Sequence, residues 1–266
     1  MPNALRRREN MIHRTAERWR PPLFSTPTTR LSRFTASLRR FLDLQAGSIW
    51  RDLAAELSQP HGTVLDVGCG AQPYRRLVNS GDRYIGIDIA AAREYFGYQV
   101  PDTLYYEGDI WPVDDASADL VLCTETLEHV RDPALFLSEA ARVTKAMGTL
   151  LLTVPFAARW HFIPHDYWRF TPSSLQILLE KHGFIDVAVY ARGNHMTVAC
   201  YKVMALILPL LAPTCQNVRT RLVHCFVGIY LSPLLLLLAI IANLTLRGKG
   251  GDDCLGYTAI AIRGST

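Results

Sequence analysis

The chain has 266 residues, with 28 Lys and Arg against 24 Asp and Glu and a formal net charge of +4. That length holds one α/β domain with an embellishment and is too short for two large domains. Six cysteines without a Cys-x-x-Cys pair suggest neither a disulfide framework nor a structural zinc site, so a reducing compartment is expected.

Charge is unevenly placed. Residues 1–51 contain 11 Arg, no Lys and three acids, a net of +8, so the remainder carries −4. Residues 1–30 show no hydrophobic period, and Pro21, Pro22 and Pro27 oppose a helix there, so a basic flexible arm is expected. It lacks the continuous apolar run of a secretory signal. Its composition suits anionic lipid, a solvated tail or an organellar transit peptide.

From Leu31 to Leu57 apolar residues recur at helical spacing (Phe34, Leu38, Phe41, Ile49, Leu53), with Gly47 expected to divide two helices. Strands follow at Thr63–Val67, Tyr84–Ile89, near Leu104–Glu107 and at Asp119–Cys123. Asp132-Pro133 reads as an N-cap with proline at the first helical position, and that helix should stop before Gly148. A fifth strand is expected at Thr149–Val154, a helix from Thr171-Pro172 to Gly183, and a sixth strand near Ile185–Tyr190. Strands alternating with helices imply a parallel sheet covered on both faces. Residues 31–195 are thus the core.

Residues 196–250 change character. Val198–Leu211 is apolar apart from Lys202, and Leu222–Leu246 is apolar over 25 residues with few interruptions. An apolar helical hairpin is expected, its tip near Cys215 to Arg221, before a last strand, Tyr257–Ile262, within residues 251–266. Leu222–Leu246 is long enough to cross a bilayer. However, strands on either side of the insert belong to one sheet, so a single crossing is excluded. Arg219 and Arg221 at the tip would each cost about 2.5–3.5 kcal/mol at mid-bilayer. Shallow insertion at a membrane surface is therefore the expected mode, with an internal soluble core and a double span as the alternatives.

The chemistry begins at Leu65-Asp66-Val67-Gly68-Cys69-Gly70, an apolar strand running into a two-glycine turn. Pro73 stands where a dinucleotide fingerprint needs its third glycine, which argues against a dehydrogenase. Asp66, just before the glycines, suits a ligand carrying a cationic group. This run resembles motif I of the class I S-adenosylmethionine-dependent methyltransferases, and Pro73-Tyr74-Arg75 resembles a bacterial, type-11 branch of them. The resemblance implies a Rossmann-like, seven-stranded, mostly parallel sheet whose last strand runs antiparallel between strands five and six. It implies S-adenosyl-L-methionine as cofactor, held by Asp66, Gly68, Cys69 and Gly70, with Asp88 on the ribose and Asp109 and Ile110 on the adenine. Thr124, at the head of Thr124–Val130, lies beside the methionine part by the same resemblance.

Two readings of Thr124–Val130 remain open. Its Leu-Glu-His-Val run resembles the type-11 enzymes. The spacing of Glu125, Glu128 and His129 also resembles a metal-binding motif of small-RNA and quinone O-methyltransferases, with His165 as a further candidate ligand. No metal is assigned to the site. His165-Asp166-Tyr167-Trp168-Arg169-Phe170 concentrates a base, an acid, a guanidinium and three aromatics in six residues. His165 has the only side chain there with an ordinary pKa near neutrality, so it is the expected general base, with Asp166 and Arg169 positioning it or the acceptor. An ion pair between Asp166 and Arg169 in a structural lid is the plainer alternative.

The function expected is methyl transfer to an oxygen of a small-molecule or lipid-linked acceptor at the cytoplasmic, inner face of a membrane. Alternatives are a non-catalytic S-adenosylmethionine-binding scaffold and an RNA methyltransferase. No basic stripe interleaved with aromatics lies within the fold, which argues against a nucleic-acid partner. Neither the acceptor nor the oligomeric state is legible.

Overall fold

The computed structural model describes residues 27–214, 217–248 and 251–265. The basic arm up to residue 26 and the expected hairpin tip at Cys215 lie outside the described residues.

Two helices, α1 (Arg30–Leu42) and α2 (Leu44–Leu57), precede the sheet. The break falls at Asp43, four residues before the expected Gly47. Asp43 leaves helical geometry, caps α1 through its backbone N–H and caps α2 by accepting from Ala46 N at 3.1 Å. Gly47 sits inside α2, where a Cβ would collide with the Arg40 carbonyl. It is small so that α2 can cross the end of α1 closely.

The strands are β1 (Thr63–Val67), β2 (Arg83–Ile89), β3 (Thr103–Tyr106), β4 (Ala118–Thr124), β5 (Thr144–Pro155), β6 (Phe184–Ala191) and β7 (Gly256–Arg263). They form one sheet in the order β3-β2-β1-β4-β5-β7-β6. β7 runs antiparallel between β5 and β6, and the other neighbouring pairs are parallel. Seven strands, mostly parallel, with the last antiparallel between the fifth and sixth, were expected.

Helix α3 (Ala92–Phe96) follows β2. Helix α4 (Pro133–Val143) is capped by Asp132, which accepts from Ala134 N and Leu135 N. It ends directly in β5, five residues before the expected strand start. Thr144 turns extended while its hydroxyl still donates to Ala140 O, so no loop intervenes. Helix α5 (Pro172–Lys181) begins in a capping box from Thr171.

Both faces of the sheet are covered. Leu137, Val143, Leu175 and Leu179 pack with Val121 and Leu150 in one core. Ile49, Leu53 and Leu57 pack with Val64, Leu120 and Leu151 in another. A third core belongs to the insert, which is three helices and not the expected hairpin: α6 (His195–Leu211), α7 (Val218–Tyr230) and α8 (Ser232–Thr245). Met204, Ala239 and Ala242 are fully buried there with Leu44 and Leu255. The apolar run Leu222–Leu246 is broken at Leu231–Ser232, where α7 and α8 bend by 53°. Among the described residues no single helix is long and apolar enough to cross a membrane. Arg219 and Arg221 lie on the first turn of α7.

Candidate active site

A cavity of about 930 Å³ opens at the carboxyl edge of the sheet. Its floor is the turn after β1, one wall is the segment after β4, another is the loop after β5, and α1 and α2 form its roof.

The floor is set by backbone. Gly68 N and Cys69 N donate to Ile87 O at 2.9 and 3.2 Å, folding the turn back on β2. Gly68 has φ +70°, and a Cβ there would lie 2.5 Å from the Thr126 methyl. Gly70 has φ +49° and no heavy atom within 4 Å of an added Cβ, so its backbone faces open space. Its N–H donates to Asp88 Oδ2 at 2.9 Å, while Asp88 Oδ1 takes Ile89 N at 2.8 Å.

Two carboxyls therefore meet beneath the glycines. Burial lifts Asp88 to about 6, against the pull of the Gly70 and Ile89 N–H groups. Asp66 is raised to about 7 by burial, with Asp88 adding to the shift and the Tyr84 hydroxyl, donating at 2.6 Å, opposing it. The Cys69 thiol is buried and its pKa pushed up, so it is inert filling between Thr103 and the turn.

Asp66, Gly68, Cys69, Gly70 and Thr124 line the cavity, and the buried Thr124 Oγ1 has no hydrogen-bond partner. Asp88 reaches it through Gly70. Asp109 and Ile110 do not line it. They follow β3 on exposed chain, with the Ile110 side chain 74% accessible.

The segment after β4 is not the expected helix. Glu125 takes φ +48°, and only Leu127–His129 forms a short 3₁₀ turn. Glu125, Glu128 and His129 therefore do not share a face. Glu125 is drawn to Arg192 Nη2 at 2.7 Å, a guanidinium with no solvent exposure that also donates to Val154 O. Glu128 turns inward, fully buried, with neither carboxyl oxygen hydrogen-bonded. Burial, then the nearby Glu125 charge, holds its carboxyl well above the ordinary glutamate range.

His129 lines the cavity, as do His161 and Phe162 from the loop after β5. Desolvation pushes His129 down to about 4, so its imidazole is neutral. Its Nδ1 lies 2.7 Å from the His165 carbonyl. Glu128, His129 and His161 bring one ligand-type atom each within 4.8 Å of one another. The metal grouping expected from Glu125, Glu128 and His129, with His165 added, is therefore not the one the fold assembles.

His165 does not line the cavity. Its ring packs against Tyr95 at 5.0 Å and Phe162 at 5.5 Å, and its Nδ1 meets Tyr167 OH at 3.1 Å. Phe162 takes the wall position and leaves His165 behind it. His161, four residues earlier, stands where the base was expected. Its Nδ1 lies 3.1 Å from Asp166 Oδ2 and 3.0 Å from Arg159 O, which leaves Nε2 as the atom able to take a proton. Burial works to lower its pKa, but the bonds to Asp166 and Arg159 outweigh that and raise it.

Asp166 and Arg169 form a two-pronged ion pair at 2.6 and 2.8 Å. Burial alone would raise Asp166, yet Arg169 and His161 hold its carboxyl far below the ordinary range. Neither lines the cavity. Asp166 acts on it by gripping both Nδ1 and the backbone N–H of His161. Sequence reasoning missed His161, Tyr84 and Arg192. The four-residue spacing to His165 was the available signal for the first, and a tyrosine opening the strand beside Asp66 for the second.

Comparison with known proteins places this geometry. The family model described as "Methyltransferase domain" matches residues 65–152. A ubiquinone biosynthesis O-methyltransferase of Rhodopseudomonas palustris is 32% identical over 149 residues, 52% of this chain and 56% of that protein. A probable S-adenosylmethionine-dependent methyltransferase of Mycobacterium tuberculosis is 28% identical over 187 residues, 64% of this chain and 67% of that one. The chain spans from about a third to two thirds of the length of the curated relatives it matches. Among solved structures, a SAM-dependent methyltransferase from Archaeoglobus fulgidus superposes with a TM-score of 0.50 at 20% identity, over 88% of this chain and 100% of that one.

Proposed function

The chain belongs to the class I S-adenosylmethionine-dependent methyltransferases, and from that premise we propose that it transfers a methyl group to an oxygen of an amphipathic acceptor, with His161 as the general base. The residues present fit the cofactor. Gly70 offers open backbone, Thr124 Oγ1 is a buried polar atom without a hydrogen-bond partner, and Asp66 and Asp88 are buried carboxyls whose protons are held by burial. Asp88 suits the ribose hydroxyls and Asp66 a cationic group. Bound there, S-adenosylmethionine supplies a methyl already electrophilic on its sulfonium, and transfer leaves a neutral thioether.

The protein's own work is then orientation and proton removal. Phe162 and Phe96 give the acceptor an apolar wall, and His129, neutral throughout the physiological range, offers a hydrogen bond without a charge. His161 Nε2 takes the acceptor proton as the new C–O bond forms. Asp166 fixes the ring and stabilises the imidazolium produced, and Arg169 keeps Asp166 ionised. The observation that carries this reading is the Asp166–His161 pair on the wall of a cavity whose floor is the Asp66–Gly70 turn. Purified protein given labelled S-adenosylmethionine and a panel of hydroxylated quinone, lipid and glycolipid acceptors should label one class. Cofactor binding with no transfer to any acceptor class, at any pH from 6 to 9, would favour a non-catalytic scaffold.

A second reading rests on Glu128. A buried carboxyl with neither oxygen hydrogen-bonded, its Oε1 3.6 Å from His129 Nε2 and with His161 close by, could hold a divalent ion that activates the acceptor oxygen. Loss of turnover on chelation, restored by Mg²⁺ or Zn²⁺, would select it over the metal-free base.

A further inference from the structure

Helices α1, α6, α7 and α8 contain no Asp or Glu. They do contain Arg30, Arg33, Arg39 and Arg40 on α1, Lys202 on α6, and Arg219 and Arg221 on α7. The four are neighbours. Phe41 and Leu42 of α1 pack into the core shared by α6 and α8, and Asn243 of α8 donates to Phe41 O at 2.9 Å. None of the four helices therefore carries an acidic side chain to offset these cations.

It is also apolar where water should be. On α1, Leu31, Phe34 and Leu38 recur at the spacing of one face and stand exposed. α7 buries only Gly228, which fits against the backbone of Leu210. Around its remaining surface Leu222, Phe226, Ile229 and Tyr230 are each at least 64% accessible. Leu236, Leu237 and Leu244 extend the patch along α8. A helix that leaves this many large apolar side chains exposed has no aqueous rationale.

We propose that this face docks on an anionic bilayer, lying in its interface without threading it, and that the acceptor enters the cavity from the membrane side. The docking goes beyond the catalytic reading and does not depend on it, whereas the entry of the acceptor rests on that reading. One observation selects a bilayer and two exclude threading. Charge complementarity matches the Arg and Lys residues to acidic headgroups, and the apolar side chains between them match the acyl boundary. α7 and α8, with 13 and 14 residues and a 53° bend between them, are each too short to span a hydrocarbon core of about 30 Å. β6 and β7 are paired in one sheet, so both ends of the insert stay on one side. The link to the cavity is α1, whose Ser32, Thr35, Ala36, Arg39 and Arg40 line the roof while Leu31, Phe34 and Leu38 face outward. Arg40 also lies over the Trp50 ring at 4.8 Å, holding a cation at the cavity mouth where an anionic headgroup would pass.

The test is flotation of the full chain with vesicles of phosphatidylcholine alone and of phosphatidylcholine with phosphatidylglycerol at 3:1. The expected result is strong flotation with the anionic vesicles, at least tenfold weaker partition onto the neutral ones, and release by alkaline carbonate. Phe226→Asp with Tyr230→Asp should lose at least tenfold in partition yet bind S-adenosylmethionine as the wild type does, since both side chains are exposed and remote from the cavity. Arg219→Gln with Arg221→Gln should erode only the anionic preference. Absence of flotation, with a dimer or larger assembly in detergent-free buffer, would show that a second copy covers the face and overturn the proposal. Resistance to alkaline carbonate would overturn it in favour of a threaded insert. Equal flotation of the Phe226/Tyr230 double variant would also overturn it.

Discussion

Two pairs of loops meet at the carboxyl edge of the sheet, and different forces hold them. After β1 and β2 the bonds are local and involve backbone: Gly68 N and Cys69 N on Ile87 O, and Gly70 N on Asp88. After β4 and β5 they run mostly through side chains and between the two segments. His129 meets the His165 carbonyl, Trp168 Nε1 donates to Val130 O, and Asp166 grips His161 and Arg169 together. The first pair fixes a shape that any sequence with those glycines and acids would adopt. The second fixes which histidine faces the cavity, and that depends on how Phe162 packs. Cofactor geometry is thus a property of the turn, and acceptor chemistry a property of the assembled wall.

The sharpest way to break that comparison is to remove the two candidate bases separately. His161→Ala should lower kcat by ~10²–10⁴-fold, the usual worth of a positioned general base, with cofactor affinity unchanged. His165→Ala should cost less than about tenfold, because its carbonyl contact to His129 Nδ1 survives the substitution. The reverse ranking in steady-state assays would mean that the wall rearranges when substrate binds.

A somewhat smaller effect is expected on the cofactor side. Asp88→Ala strips the acceptors from Gly70 N and Ile89 N and removes the carboxylate assigned to the ribose. Hydrogen bonds to a charged group contribute about 1.5–3 kcal/mol each, so the Kd for S-adenosylmethionine should rise by roughly 10²-fold or more in calorimetry. Wild-type affinity in this variant would show that the glycine turn alone carries the site.

These contrasts explain what could be read before the fold was known. Strand positions were legible, since each strand is a short apolar run between turn residues, and β1 was placed to the residue, while the antiparallel place of β7 came from the family resemblance. Asp132-Pro133 and Thr171-Pro172 announced their helices because capping is decided within four residues. The start of β5 was missed because Gly148 reads as the helix stop, whereas α4 already ends at Val143 with no turn residue to mark it, and β5 pairs at Ala118 across a register shift. Gly47 was misread as a break, since a glycine needed for close helix crossing looks the same as one needed to end a helix. His161 was passed over for the same kind of reason. Nothing local distinguishes it from His165, and only the tertiary position of Phe162 does.

Asp166→Asn should lower kcat less than His161→Ala does, with little change in KM. The amide still accepts a bond from His161 Nδ1 but no longer stabilises an imidazolium, and Arg169 loses its partner. Asp166→Ala should be worse, because the His161 backbone N–H also loses its acceptor. Equal kcat for Asn and Ala would reduce Asp166 to a loop clip.

The smallest effect is a proton. Asp66 and Asp88 are raised to about 7 and about 6, so the folded, cofactor-free protein holds protons that the unfolded chain releases near pH 4. The sign follows from linkage: the folded state binds more protons between about pH 4 and 7, so its stability falls as pH rises through that window. A cationic ligand above Asp66 and hydroxyl donors on Asp88 favour the ionised carboxylates, so binding should expel up to about one proton near pH 6. Affinity for S-adenosylmethionine should accordingly rise from pH 5.5 to 7, by no more than about tenfold per unit for each proton released. Calorimetry at pH 6 in two buffers of different ionisation enthalpy measures the release directly, and Asp66→Asn should remove the larger part of it. A buffer-independent enthalpy with a flat Kd would mean that both carboxyls are already ionised beneath the glycine turn, and that backbone N–H groups, more than the ligand, supply their charge compensation.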